Sequence, residues 1–101
     1  MIKHVVFFRL ADEAEGKTKM ENALLIKQGL LSLLDKVPVL KSEKVGINIP
    51  NATKTDYDIC LECEFATWDD LNTYQQHPEH LKVAAYITKC RTARAAVDYE
   101  F

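Results

Sequence analysis

Residues 57–65 read Tyr-Asp-Ile-Cys-Leu-Glu-Cys-Glu-Phe, and this alternation constrains the fold more than any other stretch. Tyr57, Ile59, Leu61, Cys63 and Phe65 fall on one side of an extended chain, with Asp58, Cys60, Glu62 and Glu64 on the other. Successive strand side chains point to opposite faces, so the segment predicts a strand with one apolar face and one partly wet face. Such a strand needs neighbours to pair with and a layer to cover its apolar side.

The flanking sequence supplies both. Residues 2–9 predict a strand with Ile2, His4, Val6 and Phe8 on one face and Val5 and Phe7 on the other. Bulk on both faces implies cover on both. Residues 11–17 are charged, contain Gly16 and predict a loop. Thr18 and Glu21 have capping-box spacing, and Met20, Ala23, Leu24, Lys27, Leu30, Leu31 and Leu34 follow as one helical stripe. Lys27 interrupts that stripe, but its stem can lie on an apolar surface. Gly29 costs helix propensity and permits close packing. Pro38 ends the connection, residues 39–49 predict a strand strongest from Val45, and residues 50–55 predict a loop.

Thr67 opens a second helix with Asp70 at the capping-box position and Leu71 and Tyr74 facing inward. His77-Pro78 breaks it and starts a new helical segment carrying Leu81, Ala84, Ala85 and Thr88. Residues 91–101 predict the last strand, where Val97, Tyr99 and Phe101 alternate with Asp98 and Glu100. The order is β-α-β-β-α-β, the ferredoxin-like arrangement, with the second helical region split. The expected fold is therefore α+β, one domain over residues 1–101 with a four-stranded antiparallel sheet. Two helices cover one face of such a sheet. A second copy placed on the other face is the economical cover, so a homodimer is expected.

A hydrophobic share of 48% over 101 residues supports a single packed core. The net charge is −2 and Lys and Arg are not clustered, which argues against a nucleic-acid surface. The chain has no apolar run of membrane-spanning length and enters a strand without a leader pattern, so neither a membrane partner nor secretion is expected. Cys60, Cys63 and Cys90 are an odd set, which fits a reducing, cytoplasmic setting. Cys60 and Cys63 sit three apart on a strand and point to opposite faces, which favours ordinary thiols over a redox or zinc pair. Lys41, Glu43 and Lys44 read as a mixed-charge strand edge. Arg91 and Arg94 bracket the approach to the last strand; they can line a pocket mouth for an acidic ligand, though a surface role is the simpler reading.

An ordered set of short motifs runs through the chain. It comprises residues 2–8 (Ile-Lys-His-Val-Val-Phe-Phe), Val37-Pro38, Val45-Gly46, Tyr57-Asp58, Glu64-Phe65, residues 74–81 (Tyr-Gln-Gln-His-Pro-Glu-His-Leu) and Val97-Asp98-Tyr99. In this set the chain resembles the stress-responsive A/B barrel (Dabb) family over nearly its whole length. The resemblance implies two ferredoxin-like subunits whose sheets meet in a dimeric α+β barrel. It also implies a chemistry, because one member of that family is a polyketide cyclase that closes a poly-β-ketoacyl chain by aldol condensation. The family's catalytic tyrosine and histidine match Tyr74 and His80, its supporting first-strand histidine matches His4, and an acid of the cyclase matches Asp98. The hydrophobic pocket and substrate-selecting loops of the cyclase are not evident here.

On that resemblance the expected function is a lyase or cyclase that needs no cofactor and acts on a polyketide-like or β-dicarbonyl compound. His80 would be the base, since imidazole titrates near neutrality. Tyr74 would donate to the carbonyl that gains enolate charge. The competing function is a non-catalytic dimer that binds a hydrophobic small molecule. The competing structural roles are core filling for Tyr74, helix capping for His77, backbone bonding for His80 and a bond across the barrel for His4. A metal set drawn from His77 and His80, or from His4, His80 and Asp98, lacks a dense ligand motif. Cofactor-free oxygen chemistry, as in the related antibiotic-biosynthesis monooxygenases, rests on fold analogy alone.

Overall fold

A computed structural model describes residues 1–52 and 56–101, so part of the expected loop at 50–55 lies outside the described residues. The elements are β1 (Ile2–Leu10), β2 (Glu13–Ala14), β3 (Lys17–Thr18), α1 (Lys19–Lys36), β4 (Ser42–Ile47), β5 (Ile59–Phe65), α2 (Trp68–Gln76), α3 (Pro78–Cys90) and β6 (Arg91–Glu100). Four strands form one antiparallel sheet in the order β4-β5-β1-β6. The helices lie on one face of it, where Val6, Phe8, Leu61 and Phe65 meet Ile26, Leu30, Leu33 and Leu71 in the core. The expected topology is therefore present.

Closure into a barrel is not. The sheet is open, with β4 and β6 as its two edges. A closed barrel needs enough strands for tilt and stagger to bring the first beside the last, and about eight give a filled interior. Four strands leave β4 and β6 separated by β5 and β1. The helix-free face stays uncovered, exposing Val97, Tyr99 and Phe101.

The segment expected to be a loop at 11–17 is partly a short hairpin in which β2 pairs with β3. Its turn uses Glu15 at φ 53° and Gly16 at φ 71°, the left-handed backbone that tight hairpins require. The capping box at the start of α1 forms on both sides: Glu21 N–H donates to Thr18 Oγ1 (3.2 Å) and Thr18 N–H to Glu21 Oε1 (3.0 Å). The inward face of α1 differs from the expected stripe. Asn22, Ala23, Ile26, Leu30 and Leu33 are buried, whereas Met20, Leu24, Leu31 and Leu34 are exposed. This helix is apolar on more than one side, so spacing alone does not choose the buried face. Buried Asn22 is accommodated by two partners, donating through Nδ2 to the Ala14 carbonyl (3.0 Å) and accepting from the Tyr86 hydroxyl (2.6 Å).

Gly29 faces α3. A Cβ there would meet the Val83 methyls at 3.4 and 3.5 Å, which is ordinary contact. Gly29→Ala is therefore expected to stabilise the fold by about 0.5–1 kcal/mol through helix propensity. A urea midpoint no higher than wild type would show that α1 and α3 have no room to give.

Candidate functional site

Strand register builds the floor. Glu43 on β4 stands opposite Cys63 on β5, Cys63 opposite His4 on β1, and His4 opposite Asp98 on β6. Directly paired residues share a face, so one row of titratable side chains crosses the whole sheet beneath the helices. His4 is buried, and its Nδ1 bonds Asp98 Oδ1. A carboxylate accepts, so Nδ1 carries the proton and Nε2 remains for other use.

The split second helix builds the roof. Thr67 Oγ1 accepts from Asp70 N–H (3.1 Å) and starts α2. His77 ends α2 and caps α3, its Nδ1 accepting from Glu79 N–H at 3.1 Å, while Pro78 supplies a first helical residue already set for the turn. This junction carries His80 over the sheet. His80 Nδ1 lies 3.1 Å from the Gln75 carbonyl. A carbonyl only accepts, so Nδ1–H donates and Nε2 holds the lone pair of the neutral ring. Burial holds the His80 pKa below the usual imidazole value, opposed by the Gln75 bond and helped by the positive fields of His4, Arg94 and His77. His80 is thus a neutral base at neutral pH.

His4 and His80 line the same cavity of about 130 Å³, whose apolar walls include Val6, Phe8, Leu61 and Ile87. Tyr74 and Asp98 do not line it. Asp98 holds His4 from the edge strand. Tyr74 is fully buried, its ring 4.5 Å from that of His80 and 5.0 Å from that of Phe65. Its hydroxyl lies beside the Cys63 thiol and makes no well-formed hydrogen bond among the described residues. Burial raises the hydroxyl's pKa, reinforced by Cys63 and Glu43. The structure therefore brings His4 and His80 together on the cavity, holds His4 from outside it through Asp98, and sets Tyr74 behind His80 as its packing wall. A larger depression of about 390 Å³ lies against Phe7, Ile47 and Tyr57. Its half-buried carboxylate, Asp58, is already engaged by Leu10 N–H (2.8 Å) and Lys19 Nζ (3.5 Å), which leaves less chemistry there.

Glu43 was legible only as an edge charge, yet both its carboxyl oxygens are inaccessible and have no partner among the described residues. Its parity with buried Val45, two residues on, was the available signal. Burial raises its pKa to about 7. Below the ordinary carboxyl range the folded and unfolded chains both hold this proton, and no penalty arises. As pH rises towards 7 the unfolded chain releases it first, so folding stability falls, and the loss is complete above 7. Between about pH 4 and about pH 8, the stability of Glu43→Gln relative to wild type is expected to improve by on the order of 1–2 kcal/mol, allowing for partial solvent screening. Parallel curves from denaturant titrations across that range would remove the penalty from Glu43.

Cys63 is buried and its thiol is pushed up to about 12, first by burial and then by Glu43, while Cys60 lies on the opposite face of β5. A thiol so disfavoured as thiolate is a poor nucleophile or ligand. Among the described residues no three His, Cys, Asp or Glu side chains gather as a metal set, and His77 is committed to its cap. No helix among the described residues is long and apolar enough to cross a membrane.

Comparison with known proteins agrees with this architecture. A solved structure from Bacteroides fragilis, a dimeric protein of unknown function with a ferredoxin-like fold, is 34% identical, with a TM-score of 0.83 over 99% of this chain and 95% of that one. The hydroxynitrile lyase of Passiflora edulis is 17% identical with a TM-score of 0.77 over 97% of this chain and 90% of that one, a likeness of fold alone. The stress-response A/B barrel domain-containing protein DABB1 of Arabidopsis thaliana is 28% identical over 99 residues, which is 98% of this chain and 46% of that protein. The chain thus spans about half the length of this curated relative. The sequence pattern of the Stress responsive A/B Barrel Domain matches residues 2–101, and on that match the chain belongs to the Dabb family.

Proposed function

We propose that this protein is a cofactor-independent lyase or cyclase that moves a proton on a small carbonyl compound of the β-dicarbonyl or polyketide-like kind. One observation carries the reading: two histidines with different surroundings face one small, apolar-walled cavity. His80, kept neutral by burial, takes the proton from the carbon between or beside carbonyls through Nε2. The C–H bond breaks, its electron pair moves into the adjoining carbonyl, and the enolate oxygen becomes negative. His4, its ring fixed by the Nδ1 bond to Asp98, faces that oxygen through Nε2 as the hydrogen-bond donor. Separate environments for two titratable groups are what divides acid from base in such sites. Tyr74 serves by holding the His80 ring between itself and the cavity.

The test is hydrogen–deuterium exchange at the acidic carbon of acetylacetone and of small β-keto acids, followed by NMR. Wild type is expected to exceed the buffer-catalysed rate. Equal rates for wild type and His80→Ala would sink the proposal.

A second reading, a non-catalytic binder of a hydrophobic small molecule, is favoured by the withdrawn Tyr74 hydroxyl. It predicts ligand-induced shifts around His4 and His80 without exchange. We further propose that residues 1–101 act as one domain, paired as a homodimer through the open sheet face. The uncovered Val97 and Tyr99 and the dimeric relative from Bacteroides fragilis support that pairing. The free thiols Cys60, Cys63 and Cys90 suit a reducing, cytoplasmic setting.

A further inference from the structure

The cavity shared by His4 and His80 has a feature that proton transfer does not use. Arg91 and Arg94 both line it. Simple alternation would separate them, since residues three apart on a strand point to opposite faces. The register explains their agreement. Arg94 stands opposite Phe8 and Ala93 opposite Arg9, but Leu10 then pairs with Arg91, so the ladder skips Thr92 at a bulge. Phe8 and Leu10 are both buried under the helices. The bulge thus turns Arg91 to the same side as Arg94, the kind of re-aiming that bulges provide beside sites.

Neither guanidinium forms an ion pair among the described residues, although six ion pairs are made elsewhere in that set. The nearest carboxylate in the row, Asp98, is bonded to His4. On the α3 side the cavity is lined by Ala84, Ile87 and Thr88, with His80 at its start, and none of these is an acid. The positive field of Arg94 reaches His80. Two permanent cations therefore flank a partly apolar pocket, with no anion paired to them among the described residues.

We propose that Arg91 and Arg94 bind the carboxylate of a small monocarboxylic acid whose apolar body enters between Val6, Phe8, Leu61 and Ile87. This names the substrate class of the site proposed above and rests on that cavity being the site. A planar guanidinium presents paired donors that match a carboxylate. The volume of about 130 Å³ sets the size of the buried part. A dry cavity of roughly 150 Å³ holds a benzene molecule, so one ring or a short branched chain fits here and anything longer must protrude.

The experiment is calorimetric titration with benzoate, its neutral isostere benzamide, and inorganic phosphate. The proteins are wild type, Arg91→Gln, Arg94→Gln, the double variant and the control Lys89→Gln. Both arginines are exposed, so their replacement leaves the core intact, which thermal melting verifies. Benzoate is expected to bind wild type about 10- to 100-fold more tightly than benzamide, the range for charge-assisted hydrogen bonds. The double variant is expected to lose that preference, while Lys89→Gln, which removes an exposed α3 cation away from the cavity, keeps it. Equal affinity for benzoate and benzamide, undiminished benzoate binding by the double variant, no binding of either compound, or phosphate binding as tightly as benzoate would each overturn the inference. Benzoate binding that depends on the arginines, in a protein that fails to catalyse carbon exchange, would reject the enzyme reading and leave this one standing.

Discussion

His80→Ala is expected to lower the rate of carbon–deuterium exchange by about 10²- to 10⁴-fold, the usual contribution of a positioned general base. The expectation follows from the bonding of the ring. The Gln75 carbonyl accepts a hydrogen bond from Nδ1–H, burial disfavours the charged ring, and Nε2 is left as the basic atom. The pH profile gives a second reading of the same residue. Because the pKa is lowered, the active neutral form persists below the ordinary imidazole value, and the rate is expected to fall only on the acid side of about 6.5. A rate that halves above that value would assign the titration to another group. Tyr74→Phe provides the contrast. It removes a hydroxyl that lies beside the weakly bonding Cys63 thiol and does not line the cavity, yet keeps the ring packed on His80. Its exchange rate is expected to stay within a few-fold of wild type. A loss as large as that of His80→Ala would show that the Tyr74 hydroxyl reaches the substrate after all.

Phe65→Ala is expected to cost about 3–5 kcal/mol of folding stability, a large part of the roughly 5–15 kcal/mol available to a domain of this size. Phe65 is fully buried at the end of β5, opposite Ile2 on β1 and 5.0 Å from the Tyr74 ring. Removing it opens a cavity directly beneath α2. The wall behind His80 then loses its own support, so the variant is expected to lose exchange activity even under conditions where it stays folded. Phe65→Leu, which refills most of the space, is expected to cost less than half as much. Denaturant midpoints of the two variants, measured beside the exchange rate, test both parts. A loss below about 1 kcal/mol for Phe65→Ala would mean that α2 settles onto the sheet without it.

The fold was legible because its signals are local. The period of two in residues 57–65, the capping residues Thr18 and Thr67 and the His77-Pro78 break each act within a few residues. They fixed the number, type and order of the main elements. The buried side of α1 was not legible. Leu24 and Leu31 are as apolar as Leu30 and Leu33, and the choice between them came from the helix settling where Asn22 finds Ala14 and Tyr86. Closure of the sheet was not legible either, since the separation of β4 from β6 is a property of all four strands together.

For the site, the residue types came from the sequence and the geometry did not. Tyr74, His80, His4 and Asp98 were named through resemblance, and their sequence positions span almost the whole chain. Pairing β1 with β6 set His4 beside Asp98, and the α2–α3 junction set His80 over the same cavity while turning Tyr74 behind it. Glu43 read as an edge charge, and Arg94 as a surface charge or a pocket-mouth residue, because sequence spacing carries no information about which strand lies alongside. By itself, then, the sequence determined a ferredoxin-like order of elements and a short roster of reactive side chains, through forces that act between near neighbours. Only the tertiary structure decided which of them share a cavity, which lie behind it and which charges go unpaired. Those outcomes depend on long-range register, on a bulge opposite Leu10 and on burial, all of which exist only once the sheet and helices have met.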